Sequence, residues 1–166
     1  MNRMLLKSTP FLILLILILG KDITAQSNHA DHDHHHHPKN EIGLGNYLVF
    51  LTGEKELSYG LHVHYLHTIE DSKFGVGLGF EKIFDEHNHQ TLGIIGSYRP
   101  IYPLVLSLSP GILFQGGETS TVNFALHAEA VYEFEINNFH LGPAIGFGYA
   151  SSEFHISFGL HLAYGF

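Results

Sequence analysis

The feature that most constrains this chain is an alternation of period two that runs from Glu41 to the last residue. Leu57, Tyr59, Leu61, Val63 and Tyr65 are bulky and apolar, and Ser58, Gly60, His62 and His64 stand between them. Phe74, Val76, Leu78 and Phe80 alternate with Gly75, Gly77, Gly79 and Glu81. From Val122 to Ile136 every second residue is apolar, set against Asn123, Ala125, His127, Glu129, Val131, Glu133 and Glu135. Phe139, Leu141, Ile145, Phe147 and Tyr149 oppose His140, Gly142, Ala144, Gly146 and Gly148. Finally Phe154, Ile156, Phe158, Leu160, Leu162, Tyr164 and Phe166 oppose His155, Ser157, Gly159, His161, Ala163 and Gly165. Successive side chains of a strand point to opposite faces, so the pattern predicts strands with one bulky apolar face and one small or polar face.

Short turn signals separate these runs: 52–55, 70–73, 85–89, Arg99-Pro100, 115–118, Asn137-Asn138 and Ser151-Ser152. They divide the body into eight strands, near 42–51, 56–67, 73–83, 90–98, 101–114, 120–136, 138–150 and 153–166. Ser107-Leu108-Ser109-Pro110 and Pro143 read as bends or interrupted pairing, because proline has no N–H to give a ladder.

Which face meets water decides the class. A soluble barrel or sandwich would turn the apolar face inward and clothe the other in Lys, Glu, Thr and Gln. Here the other face is dominated by Gly, Ala, Ser and His, which suit the cramped interior of a narrow barrel, while the bulky face suits lipid. Closure satisfies every backbone polar group, as lipid demands. The pattern therefore favours an all-β, eight-stranded antiparallel up-and-down transmembrane β-barrel over 41–166. Over that whole span the chain resembles the small eight-stranded outer-membrane β-barrels. The most specific element is the last strand, where Leu160, Leu162, Tyr164 and Phe166 end in an aromatic, similar to the signal read by the outer-membrane barrel assembly machinery. The resemblance implies an outer-membrane location in a Gram-negative cell, contact with outer-membrane lipid, both termini in the periplasm, and 85–89 as an outward loop. It also implies that Tyr98 and Tyr102, beside Arg99-Pro100, sit at the periplasmic interface.

The N-terminus agrees with export. Arg3 and Lys7 precede an unbroken apolar run, Phe11–Leu19, too short to cross a bilayer as a helix. We place a signal peptide over 1–25, with cleavage after Ala25; the Ala-Gln junction resembles secretory signals of the Bacteroidetes type. The absence of Cys among 166 residues excludes a lipid-modified N-terminal Cys, a disulfide scaffold, a zinc ribbon and a thiol nucleophile. The formal charge of -8 leaves no basic face for phosphates, so no nucleic-acid partner is expected.

Fifteen His in so acidic a chain are the chemical anomaly. Six fall in a tail predicted to be disordered over 26–40, His29, His32, His34, His35, His36 and His37, interleaved with Asp31 and Asp33. Imidazole ligates zinc, nickel and copper, and such a tract wraps an ion without a preformed site; a solvated linker and a cloning tag are the bland alternatives. A loop cluster, Asp85, Glu86, His87 and His89, carries the same residue types. Alternation sends His62, His64, Glu81, His127, Glu129, Glu133, Glu135, His140, His155 and His161 into the lumen. In an eight-stranded barrel the last strand neighbours the first and the seventh, which brings His127, His140, His155 and His161 onto adjacent staves.

Two readings follow. One is binding of a divalent metal ion as an accessory to envelope metal handling, with a metal transporter as a possible partner. The other is a structural barrel whose imidazoles and carboxylates merely fill the lumen. A rival of another class is a lipid A hydrolase, since His155-Ile156-Ser157 is similar in spacing to the His-x-Ser of some small barrels. No acidic residue follows Ser157, however, and both residues face the lumen. Ion conduction is not expected, because eight strands leave no open pore.

Overall fold

The computed structural model describes residues 38–116, 121–150 and 153–166. The predicted signal peptide and the tail residues His29–His37 lie outside them, as do Gly117, Glu118, Ser151 and Ser152 of the predicted turns. Every regular element among the described residues is a strand: β1 (Asn40–Leu51), β2 (Glu56–Thr68), β3 (Phe74–Phe84), β4 (Gln90–Ile101), β5 (Leu104–Gln115), β6 (Thr121–Tyr132), β7 (Phe134–Ile136), β8 (Phe139–Ala150) and β9 (Glu153–Gly165). Each pairs antiparallel with its sequence neighbour, apart from the break between β6 and β7. The sheet closes because β9 pairs with β1 as well as with β8. Asn40 and Phe166 exchange backbone hydrogen bonds of 2.8 and 3.0 Å across that seam.

Nine segments make eight staves. β6 pairs with β8 down to Val131 opposite Ala144, and β7 resumes in the same register with Phe134 opposite Leu141. The break falls opposite Pro143, which has no N–H for the ladder. The Glu133 N–H donates instead to the Pro103 carbonyl at 2.9 Å. Pro110 has the same effect on the β4–β5 ladder, which skips Ile94 and Ile95. Both interruptions lie where proline predicts them.

One predicted turn is corrected. Arg99 and Pro100 belong to β4, and the chain reverses at Tyr102-Pro103, with Ile101 paired to Leu104. The register shifts by one residue between Tyr98 and Ile101, a bulge that absorbs Pro100 without ending the strand. It leaves Arg99 pointing inward.

The two faces divide as the alternation predicts. Ile42, Leu48, Val76, Leu78, Ile94, Leu108, Ile145 and Phe158 lie exposed on the outer wall, whereas Val49, Leu51, Ile83, Val105, Val131 and Ala144 are buried inside with the lumenal His and Glu. Aromatic rings gather at the two ends of the outer wall. Phe74 stacks on Tyr98 at 4.9 Å and Phe139 meets Tyr164 at 5.1 Å near the chain termini. At the opposite end Tyr59 stacks on Phe84 at 5.5 Å, and Tyr149 meets Phe154 at 4.9 Å.

Candidate metal centre in the barrel lumen

A narrow lumen holds rings only where neighbouring staves yield space, and the register supplies it. Gly43 of β1 is opposite His64 of β2, and Gly45 is opposite both His62 of β2 and His161 of β9. Gly148 of β8 is opposite both His127 and His155. A Cβ on Gly148 would overlap the His155 ring, and one on Gly146 would stand 2.6 Å from His127 Nε2. The inward glycines are thus the counterparts of the imidazoles.

The rings form a column along the lumen. His155 lies 5.8 Å from His127, His127 6.0 Å from His62, His62 5.3 Å from His64, and His64 stacks on His161 at 5.1 Å with planes 12° apart. Carboxylates flank both ends. Near the Asp85 turn, Glu81 Oε2 is 3.7 Å from His127 Nδ1 and Glu81 Oε1 is 4.0 Å from His155 Nε2. Near the termini, Glu41 Oε2 accepts a 2.6 Å hydrogen bond from His140, and Glu41 Oε1 is 3.5 Å from His64 Nε2.

Burying a carboxylate is costly unless a cation or hydrogen-bond donors compensate it. Glu133 receives a 2.6 Å bond from the Arg99 guanidinium, whose other nitrogen is 3.5 Å from Glu41. Glu129 accepts from the phenol of Tyr47. Glu81 differs. It is 5 % exposed, its ion-pair neighbours among the described residues are these two imidazoles, and its Oε1 has no hydrogen-bond partner there. His127 Nε2 and His155 Nε2 are likewise buried and unpartnered.

Glu81, His127 and His155 can each offer one ligand atom within 4.8 Å of the others. A tetrahedral zinc-type ion with bonds of about 2.0–2.1 Å wants donors roughly 3.3 Å apart, so a closing movement of up to about 1.5 Å between side-chain ends completes three of four positions. The fourth falls to water or to an incoming ligand, the arrangement of an exchangeable site rather than a closed structural one. A cavity of about 30 Å³, bordered by Glu81, His89, His127 and His155, gives room for a water-sized guest. Two further groups meet the same 4.8 Å criterion at the other end, Glu41 with His64 and His161, and Glu41 with Glu133 and His140.

The residues singled out in the sequence are therefore distributed over several places. His127 and His155 share the Glu81 group, whereas His161 and His140 belong to the groups around Glu41. The loop residues do not gather into one set. His87 is exposed and pairs with Glu54 at 2.8 Å, while His89 turns inward between Asp85 and Gln115. Glu135 is half-buried opposite His140. Ser157 is fully buried in the lumen, and its Oγ has no hydrogen-bond partner among the described residues. Glu41, Tyr47 and Arg99 are lumenal residues that were not singled out in the sequence. The alternation of Glu41, Gly43, Gly45 and Tyr47 with Ile42, Leu44 and Leu48 carries the signal for the first two.

Closure, all-antiparallel pairing and the eight-stave count define a closed eight-stranded β-barrel, and its exposed apolar outer wall is that of the outer-membrane type. The fold matches Ail, the attachment invasion locus protein of Yersinia pestis, with a TM-score of 0.55, covering 78 % of this chain and 99 % of that one at 16 % identity. It also matches Neisserial surface protein A (TM-score 0.55, 76 % and 96 % covered, 9 % identity) and a de novo designed transmembrane β-barrel (TM-score 0.54, 76 % and 96 % covered, 14 % identity). At these identities the likeness is one of fold. No protein-family profile and no curated protein matches the chain.

Proposed function

We propose that this chain is a non-catalytic outer-membrane barrel that binds a divalent transition-metal ion, zinc, nickel or copper, inside its lumen, as an accessory to metal handling in the cell envelope. The observation that carries the reading is Glu81: a buried carboxylate without a hydrogen-bonding donor on Oε1, with ligand atoms of His127 and His155 within 4.8 Å. A divalent cation held by the three would compensate that carboxylate. Soft-to-borderline metals fit a donor set of two imidazoles and one carboxylate, whereas magnesium and calcium prefer oxygen. The export signal and the tail from His29 to His37 support an envelope role, with the tail as a collector, a metal transporter as recipient, and outer-membrane lipid and the barrel assembly machinery as the other partners. The fold's kinship with outer-membrane barrels supports the location.

One observation favours the structural reading instead. Near the termini the Arg99–Glu133 pair and the His140–Glu41 hydrogen bond compensate buried carboxylates without an ion. The Glu81 group is where the two readings differ. Full-length mature protein refolded in detergent, with the six tail histidines changed to Ser, is titrated with zinc against a chromophoric chelator. Binding at micromolar or tighter, about -8 kcal/mol, that weakens at least tenfold in His127→Gln and in His155→Gln supports the metal reading. Affinity no better than millimolar, about -4 kcal/mol, contradicts it.

A further inference from the structure

The geometry points to a second, independent metal site at the termini end of the lumen, made by Glu41 of β1, His64 of β2 and His161 of β9. It extends the metal reading above but uses none of the Glu81 group's ligands. Three observations converge on it. The ligand atoms of the three residues lie within 4.8 Å of one another, and all three side chains are more than nine-tenths buried. Both ring nitrogens of His161 and the Nδ1 of His64 have no hydrogen-bond partner, an arrangement that costs stability unless something else occupies them. Gly43 forms the floor beneath the two rings: a Cβ there would stand 2.8 Å from His161 Nε2 and would overlap His64 Nε2. The two Nε2 atoms therefore converge over the one residue type that leaves them space.

The partners already engaged set which atoms remain. Glu41 Oε2 is taken by His140 at 2.6 Å and faces Arg99 at 3.5 Å, so Oε1, 3.5 Å from His64 Nε2, is the oxygen left for an ion. Glu133 Oε2 holds Arg99 at 2.6 Å, and Glu133 Oε1 stands 3.7 Å from His161 Nδ1. A cavity of about 30 Å³ bordered by Glu41, His64, Glu133 and His161 provides the space for the ion with a water completing its shell. Two imidazoles and one carboxylate repeat the chemistry of the Glu81 group, so the occupant is again a divalent ion of the zinc, cobalt, nickel or copper class. His62 stands between the two sites, its ring 5.3 Å from that of His64 and 6.0 Å from that of His127, and belongs to neither set.

Cobalt(II) is the probe, because four-coordinate cobalt with nitrogen and oxygen donors absorbs in the visible. The full-length mature chain with its tail histidines changed to Ser is titrated in detergent, and folding of every variant is checked by its unboiled gel mobility. Two equivalents are expected. The pair His64→Gln with His161→Gln lowers the count to one, and so does His127→Gln with His155→Gln. Gly43→Ala, which removes no ligand atom, weakens only the termini-end site, by tenfold or more. One equivalent that survives His64→Gln with His161→Gln overturns this inference and leaves the Glu81 reading standing. One equivalent lost in that pair and kept in His127→Gln with His155→Gln supports the inference and removes the Glu81 reading. No uptake at all overturns both.

Discussion

Arg99 has a role that no neighbouring residue can take over. It is 8 % exposed and lies among Glu41, Glu133 and His140, whereas the described lysines, Lys39, Lys55, Lys73 and Lys82, are exposed or half-buried outside the lumen. Removing one partner of a buried ionic network leaves the others uncompensated, at a cost of about 3–5 kcal/mol. Arg99→Leu is expected to reduce the stability of the barrel in bilayers by that amount, read as a lower urea midpoint at unchanged slope, and Arg99→Lys by less, since an ammonium keeps the charge but loses the fork that reaches two carboxylates. A wild-type midpoint in Arg99→Leu would mean that the network does not hold the termini end. Tyr47 is the largest fully buried side chain of the lumen, and the sole Phe or Tyr buried there among the described residues. Its ring lies where Cβ atoms on Gly45 and Gly159 would stand, and its phenol reaches Glu129 across the barrel. Arg99 was hidden in the sequence by Pro100, which reads as a breaker; only the bulge that lets β4 continue reveals the side chain as lumenal. Tyr47 was hidden because an aromatic on the small-residue face runs against the compositional rule that identified that face.

At the scale of the strand, alternation was sufficient wherever residue type and face agreed. His62, His64, His127, His140, His155 and His161 are all lumenal because a closed single sheet has one inside, and a period of two leaves each side chain one choice. Alternation could not say which imidazoles meet, since that depends on the register between staves. It also missed the partition of the loop residues, because His87 and His89 diverge across a turn. The register makes a prediction of its own about glycine. A Cβ on Gly142 would drive into the backbone carbonyl of Tyr132, whereas a Cβ on Gly96 would meet nothing nearer than the Leu108 carbonyl at 3.9 Å. Gly142→Ala is therefore expected to destabilise the barrel by about 1–3 kcal/mol, as overpacking does, and Gly96→Ala to stay within about 0.5 kcal/mol of the parent. Equal effects in a urea titration would show that the β6–β8 contact is looser than the register implies.

For the whole molecule, the outer wall is the decisive surface. Seven of the staves are single strands of 11 to 13 residues, enough to cross a hydrocarbon layer that tilted strands span with about 9–11. Between the aromatic rings at its two ends the wall carries Leu, Ile, Val and Phe, a continuous apolar band that water would not stabilise. Lipid on that band and His with Glu in the lumen are two sides of one assignment, and the metal readings depend on it. The most direct measurement is of nuclear Overhauser contacts between lipid acyl chains and methyl groups, with the full mature chain folded in phospholipid nanodiscs. Leu78, Ile94 and Ile145 are predicted to give acyl-chain contacts, and Val49, Val105 and Val131 none. Acyl contacts at the second set and not at the first would contradict the account.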